Sequence, residues 1–152
     1  MSSVFAKQRL TPAQARTVSD RRRADANALQ ALKQNRHANG AMYLGGIAVE
    51  LLLKALLLES HPWLQKNVTS ALDSRQRRLR DVCYRWHDLE AVLERLPQLA
   101  ARLEAANPRL LQGLKKLCAE WTIHIRYSTY QATHAESAAF LDRLKELVPW
   151  LK

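Results

Sequence analysis

Apolar residues recur along the chain at the three- and four-residue spacing of helices, and no stretch sustains the alternation of a strand. The longest apolar run, GAMYLGGIAVELLLKALLLES, covers residues 40–60. Between residues 41 and 58, only Glu50 and Lys54 interrupt its apolar and Gly positions. Because a helix that is apolar on every side is surrounded by other elements or by lipid, the pattern predicts an all-α fold built around this segment.

The lysine at the centre of this run opposes a membrane interpretation. On insertion scales a central Lys costs roughly 2.5–3.5 kcal/mol, while each Leu, Ile or Val returns only about 0.3–0.6 kcal/mol. The nine Leu, Ile and Val residues between positions 41 and 58 barely offset that cost. The segment is therefore predicted to be the central helix of a helical bundle, and no membrane partner is expected.

Capping signals place the remaining helices. TPAQ at residues 11–14 and THAE at residues 133–136 have the capping-box form, in which an N-cap Thr and a later Gln or Glu bond reciprocally to the backbone. Asn107 followed by Pro108 marks another helix start. Together with HDLEAVLERLP, which Pro97 ends, these signals predict an antiparallel up-and-down bundle of about five helices.

The first helix and the least regular segment carry more specific predictions. The first helix is expected to run to His37 and to turn at residues 39–40, an Asn-Gly pair. Residues 62–86 are predicted to form a loop or a partly helical insertion, and residues 1–10 to be disordered, within a single domain of residues 1–152. The predicted inward stripe of the first helix consists of Ala24, Ala28, Leu29 and Leu32.

The composition of the chain indicates a class of binding partner and a location in the cell. Twenty-four Lys and Arg against 14 Asp and Glu give a formal charge of +10, which favours RNA, DNA, a nucleotide or an acidic protein as partner, although the same excess also serves solubility. Cys83 and Cys118 have neither C-x-x-C nor zinc spacing, so reduced thiols in the cytoplasm and no metal or cofactor are expected. The opening MSSVFAKQRL lacks the apolar core of a signal peptide.

The segment IHIRYSTYQATHAE, residues 123–136, concentrates side chains that could handle a phosphate. We expect Arg126 at the C-terminal end of one helix and His134 in the first turn of the next, where free N–H groups and the dipole favour an anion. The guanidinium would bind phosphate, the imidazole would exchange a proton, and tyrosine rings would stack a base. The alternative is structural, with the tyrosines packed and the arginine paired to a core carboxylate. The candidate binding residues are His124, Tyr127 and Tyr130.

The acid and base inside the central helix need partners. Glu50 precedes Lys54 by four residues, the favourable order for a helical pair. Since a buried carboxylate is costly unless it is paired, a second partner is expected, and Arg126 is the predicted one because its helix has an inward stripe ending at Ile125. Glu50 and Lys54 also count among the candidate binding residues.

Other polar groups have two interpretations each. The arginines of the RQRRLR stretch either hold RNA phosphates or form a solvated face. His87 and Asp88 form either an acid–base pair or a helix cap, and capping is favoured. Trp86 either packs or stacks a base beside Arg85. The four arginines of the first cluster are Arg75, Arg77, Arg78 and Arg80.

These residues also carry a family resemblance. The stretch ANALQALKQNRHANGAMYLGGIAVELLLKALL, followed by HDLEAVLE and then RYS, resembles the HEPN domain of bacteria and archaea. That family has a small-residue helix ending in E-x-x-x-K-A-L, a later H-x-L and an R-Y near the end. The resemblance covers most of residues 24–150, with Tyr43, Glu50, Lys54 and Ala55 in place.

The resemblance implies an antiparallel helical bundle, a homodimer, and pairing with a minimal nucleotidyltransferase in a toxin–antitoxin or defence module. Many members are metal-independent ribonucleases that use an R-x(4-6)-H motif at a dimer cleft. Here seven residues separate Arg126 from His134, one more than that motif allows, and Tyr127 follows the arginine. The RYS sequence resembles the branch of the family that binds nucleotides or partner proteins. A nucleotide- or RNA-binding module is therefore expected, and a ribonuclease using Arg126 and His134 is the alternative.

Overall fold

The computed structural model of this chain describes residues 9–66 and 71–152, and within these ranges it contains helices and no strand. The all-α prediction is confirmed, and the described ranges hold seven α-helices where about five were predicted. In the same ranges, three short 3-10 helices join them, at Asn35–His37, Pro62–Gln65 and Ile123–Tyr127. The α-helices are α1 (Pro12–Ala31), α2 (Ala38–Ser60), α3 (Ser74–Tyr84), α4 (Leu89–Leu93), α5 (Pro97–Ala106), α6 (Pro108–Glu120) and α7 (His134–Leu151).

The two additional helices lie where the sequence signals were weaker. Helix α3 occupies part of the segment predicted as a loop or partly helical insertion, and the capping box of Asp73 and Gln76 begins it. Pro97 was predicted to end a helix, but α4 ends at Leu93, and Pro97 instead begins α5 from the first helical position, where its missing N–H costs nothing. The predicted starts at Thr11, Asn107 and Thr133 are confirmed.

Helix α2 is the centre of the core. Its leucines at 52, 53, 57 and 58 are fully buried, and buried residues occur on every side of the helix. The segment is long and apolar enough to cross a bilayer, but 72% of its most apolar window is buried against the rest of the protein. Burial of this extent is typical of the central helix of a bundle.

Helix α1 crosses α2 through small residues. Ala15, Ser19 and Ala26 are buried, and the Ser19 hydroxyl donates to the Ala48 carbonyl at 2.8 Å, so the two backbones approach closely. The inward stripe predicted for α1 is wrong: Ala24, Ala28 and Leu32 are exposed, and only Leu29 is half-buried. Because the helix turns once every 3.6 residues, Ala15, Ser19 and Ala26 share the buried face, and Ala24 and Ala28 lie on the opposite side of the helix.

The turn after α1 also differs from the prediction. Helix α1 ends at Ala31, and Lys33 adopts a positive φ of 53° that reverses the chain. Asn39 and Gly40, which were predicted to form this turn, lie inside the first turn of α2. The chain therefore reverses at Lys33 and not at residues 39–40, where the sequence predicted the turn.

Helix α1 runs antiparallel to both α2 and α7. Arg16 near its start forms a two-point ion pair with Glu59 at the end of α2, and Asp20 pairs with Lys152 at the end of α7. At the other end of α1, the Gln30 amide donates to the His134 carbonyl. Helices α2 and α7 consequently run side by side in the same direction, a departure from strict up-and-down alternation.

Two glycines allow large side chains to contact the α2 backbone. A Cβ at Gly45 would lie 2.8 Å from Leu141 Cδ2, and a Cβ at Gly46 would overlap the indole ring of Trp121. Trp121, at the C-terminal end of α6, is 4% exposed. The glycines therefore set how closely α7 and the end of α6 approach the central helix.

Two further predictions concern the first ten residues and the two cysteines. Leu10 packs against the core and the Arg9 guanidinium lies 4.8 Å from the centre of the Tyr84 ring, so these two residues depart from the disorder predicted for residues 1–10. Residues 1–8 lie outside the described residues. Cys83 and Cys118 are free and buried, and burial raises their pKa values to about 11 and about 12.

We predict that Gly46→Ala destabilises the fold by about 1–3 kcal/mol, because the added methyl group forces the Trp121 ring from its position. Gly113→Ala is the matched control, since a Cβ there meets only Arg143 at 3.7 Å. That control should stabilise the fold by about 0.5–1 kcal/mol through helix propensity. Urea unfolding followed by circular dichroism measures both changes, and equal effects of the two substitutions would contradict the packing described for Trp121.

Candidate functional site

The buried charges of α2 form a three-membered cluster. Glu50 is 4% exposed and Lys54 is 5% exposed, and Lys54 Nζ lies 2.5 Å from Glu50 Oε1. The second partner of the carboxylate is His87, whose Nδ1 lies 3.0 Å from Oε1 and 3.1 Å from Oε2. The predicted burial of Glu50 and its pairing with Lys54 are confirmed, but the predicted pairing with Arg126 is wrong.

This cluster connects the central helix to the connection between α3 and α4. Lys54 Nζ also donates to the Trp86 carbonyl at 2.8 Å, which satisfies a second donor of the ammonium group. The next residues are His87 and Asp88, and the Asp88 carboxylate caps α4 by accepting from the Ala91 N–H. The capping role favoured for Asp88 is confirmed. The HDL sequence thus supplies a cap for one helix and a partner for a buried carboxylate.

His87 was missed as a partner because it lies 37 positions from Glu50 and its immediate sequence only indicated a cap. Its side chain is 49% exposed, so one edge of the ring contacts the buried carboxylate and the rest contacts solvent. A cavity of about 440 Å³ beside it is lined also by Trp86 and His124.

Arg126 lies on the 3-10 helix that follows α6, one element beyond the predicted end of a helix. Its guanidinium carbon is 5.3 Å from the centre of the Tyr43 ring and 4.6 Å from that of Tyr127. The guanidinium donates to both phenol oxygens, at 3.4 Å for Tyr43. In the described part of the chain, no carboxylate lies within ion-pair distance of it.

His134 begins α7, as predicted, but faces a different element from Arg126. Its Nε2 lies 3.2 Å from the Gln30 carbonyl of α1, and its ring is half-buried. Its backbone N–H donates to Asn35 Oδ1, and the Glu136 N–H donates to Thr133 Oγ1. These two N–H groups at the start of α7 are therefore already bonded within the protein, which contradicts the prediction that they are free for an anion.

The connection between Arg126 and α7 is fixed to the start of α2. Asn39 Nδ2 donates to the Tyr130 carbonyl at 2.8 Å, and Asn39 Oδ1 accepts from the Ala132 N–H at 2.9 Å. The two tyrosine side chains point outward, with Tyr127 68% and Tyr130 63% exposed. Exposed aromatic rings on a fixed backbone are suited to stacking against a planar ligand.

A cleft of about 480 Å³ adjoins these tyrosines and is lined also by His124 and Ser128. The Tyr130 hydroxyl donates to Glu136 Oε1 at 2.7 Å, and this bond raises the pKa of the tyrosine. The Thr133 backbone N–H, followed by the Tyr130 hydroxyl, lowers the pKa of the Glu136 carboxyl. Two carboxylates, Glu120 and Glu136, are among the lining residues and Arg126 is not, so a phosphate would be repelled from the cleft itself and attracted to the exposed Arg126 next to Tyr127.

The structure divides the arginines of α3 into two pairs. Arg75 and Arg78 line a cavity of about 700 Å³, because residues three apart share a helix face. Arg77 instead donates to the Leu72 carbonyl at 3.0 Å, and Arg80 lies 3.5 Å from Asp81. The four residues predicted as one phosphate-binding group thus lie on different faces.

No group of three or more His, Cys, Asp or Glu side chains is arranged to hold a metal ion within residues 9–66 and 71–152.

Comparisons with protein-family models, with curated proteins and with solved structures find no match for this chain. Function must therefore be inferred from the residues themselves.

We predict that Glu50→Ala destabilises the protein by roughly 3–5 kcal/mol, because it leaves the buried Lys54 ammonium without its carboxylate. The double substitution of Glu50 and Lys54 by Met should recover most of this loss, since an apolar pair of similar volume removes the unpaired charge. Chemical unfolding of the three proteins measures the difference. A double variant as unstable as Glu50→Ala would show that the charge pair itself, rather than the avoidance of an unpaired charge, stabilises α2.

Proposed function

We propose that this chain is a HEPN-type module that binds RNA or a nucleotide without cleaving it. The observation that carries the proposal is the exposed Arg126 guanidinium, held between the Tyr43 and Tyr127 rings and without a carboxylate partner among residues 9–66 and 71–152. A cation held only by neutral groups keeps its charge for an external anion. A planar guanidinium binds phosphate through two parallel hydrogen bonds.

The tyrosines beside Arg126 favour a ligand that contains bases. Tyr127 contacts the guanidinium and also lines the cleft, so a phosphate at Arg126 places the attached nucleoside next to the exposed rings. Stacking of one base on an aromatic side chain contributes about 1–3 kcal/mol and is tolerant of sequence. The formal charge of +10 adds a general attraction for the phosphate backbone.

The environment of His134 favours binding over cleavage. A general acid or base must reach the proton that it transfers, directly or through one water. His134 Nε2 instead contacts the Gln30 carbonyl of α1, whereas Arg126 contacts Tyr43 and Tyr127. Among these partners, no residue contacts both His134 and Arg126. The contacts therefore do not support joint catalysis by the two side chains within one chain.

The partners that we propose follow from the family resemblance. They are a second copy of this chain and a minimal nucleotidyltransferase encoded beside it, in a toxin–antitoxin or defence module of the cytoplasm. In the homodimer, the last two helices of each copy would meet across a two-fold axis, so that the two RYSTYQATH segments, residues 126–134, face one cleft.

We predict that Arg126→Ala weakens binding of a single-stranded RNA oligomer about tenfold or more, because a hydrogen bond to a charged group contributes roughly 1.5–3 kcal/mol. Arg109→Ala is the matched control, since it removes the same charge from an exposed position on α6. Fluorescence anisotropy at fixed ionic strength measures both affinities. Equal losses of RNA affinity in the two variants would show that binding depends only on the net charge of the protein, which would contradict a site at Arg126.

The same assay separates a binder from a nuclease. His134→Gln, which retains a donor for the Gln30 carbonyl, should bind RNA like the parent, and neither protein should shorten the RNA with or without chelator. Proton transfer by a side chain typically contributes about 100-fold to 10,000-fold to a rate. Cleavage by the parent that is lost in His134→Gln while binding persists would establish the ribonuclease and reject the binding-only proposal.

We also predict a homodimer in solution. The exposed Tyr127 and Tyr130 rings near the proposed two-fold axis would be partly covered by the second copy. Multi-angle light scattering across a range of protein concentrations measures the mass. A mass that stays at the 17.4 kDa of one chain at high concentration would contradict the dimer.

A further inference from the structure

A second basic surface lies at the opposite end of α2 from Arg126. We call it the arginine cleft, a cavity of about 700 Å³ between the last turn of α2, helix α3 and the start of α5. Thirteen positions separate Tyr43, which contacts Arg126, from Leu56, which lines the cleft. At 1.5 Å per residue the two surfaces are about 20 Å apart along the helix, so one small ligand cannot occupy both.

Four arginines from three parts of the chain surround the cleft. Two come from α3, one from the connection between α4 and α5, and one from α5. Glu94 is the single carboxylate among the lining residues, so four positive charges face one negative charge, a local balance of +3. The arginines are Arg75, Arg78, Arg95 and Arg102.

These four guanidinium groups form no ion pair with a carboxylate in residues 9–66 and 71–152. Arg78 lies 5.9 Å from the centre of the Trp86 ring, and Arg102 donates to the Trp150 carbonyl at 2.5 Å. The indole ring and the carbonyl carry no formal negative charge, so neither contact neutralises the guanidinium that makes it. Like charges around one cavity repel one another unless an anion neutralises them, so the cleft favours a ligand with several negative charges.

The apolar lining of the cleft restricts the ligand further. Leu96 and Leu99 are buried, and Leu56 and Leu79 are half-buried, so aliphatic side chains face the space between the arginines. His61 and Gln98 add polar groups at the same cavity. A volume of about 700 Å³ lies within the range of roughly 300–1,000 Å³ that is usual for sites of small organic ligands.

We infer that the arginine cleft binds a small organic polyphosphate, a molecule with two or more phosphate groups on an apolar or aromatic body. The phosphates would lie against the arginines, whose forked N–H groups match phosphate oxygens, and the organic body would cover the leucines. This site is separate from the proposed RNA surface at Arg126 and does not rest on it.

Isothermal titration with ATP as probe tests the inference, with two variants of the same helix compared. Arg78→Gln should weaken ATP binding about tenfold or more, because Arg78 lines the cleft. Arg77→Gln removes the same charge from another face of α3 and should change the affinity less than about twofold, since an exposed charge outside the site acts only through screened attraction. Circular dichroism confirms that both variants fold.

Further probes examine each part of the ligand and the independence of the two sites. Adenosine should bind far more weakly than ATP, and inorganic tripolyphosphate more weakly than ATP but more tightly than adenosine. In a chain that already carries Arg126→Ala, Arg78→Gln should still weaken ATP binding about tenfold or more, so that a failure here and a failure of the RNA proposal remain distinguishable.

Four results would overturn the inference. They are the absence of ATP binding at millimolar concentration, equal losses in Arg77→Gln and Arg78→Gln, tripolyphosphate binding as tightly as ATP, and single-stranded RNA binding that depends on Arg78 when ATP binding does not. The last outcome would assign the cleft to an RNA strand.

Discussion

The structure depends on the need to cover helix α2 on every side. Its leucines contribute to stability only when they are removed from water, at about 25 cal/mol for each Å² of apolar area. Helix α1 covers one face through Ala15, Ser19 and Ala26, while α7 and Trp121 cover the face of Gly45 and Gly46. Small residues at each crossing allow the neighbouring elements to approach, so the spacing of the whole bundle follows from residues that have almost no side chain.

The charged pair of α2 is compatible with this burial because its polar atoms find partners. Glu50 contacts Lys54 and His87, and the lysine donates also to the Trp86 carbonyl. Breaking such a buried pair costs far more than forming it gains. The pair therefore acts mainly to position the connection between α3 and α4 on the central helix, and the exposed edge of His87 is a consequence of that position.

Both proposed binding surfaces are built at the ends of α2, where the covering elements change direction. At the start of the helix, Asn39 holds the connection that presents Tyr127 and Tyr130 to solvent. At its end, the approach of α3 and α5 leaves a cleft that is lined by both leucines and arginines. Connections carry exposed chemistry because they are the parts of a bundle that need not be packed on all sides.

The sequence alone determined the all-α class, the central helix, the capped starts at Thr11, Asn107 and Thr133, and the burial of Glu50 beside Lys54. These features depend on periodicity, local hydrogen bonds and the cost of an unpaired charge, all of which act over a few residues. Tertiary structure decided the rest. His87 replaced Arg126 as the second partner of Glu50, and the α3 arginines separated onto different faces. Both outcomes depend on which distant segments meet, and that is fixed by the packing of whole helices, which a local pattern does not encode.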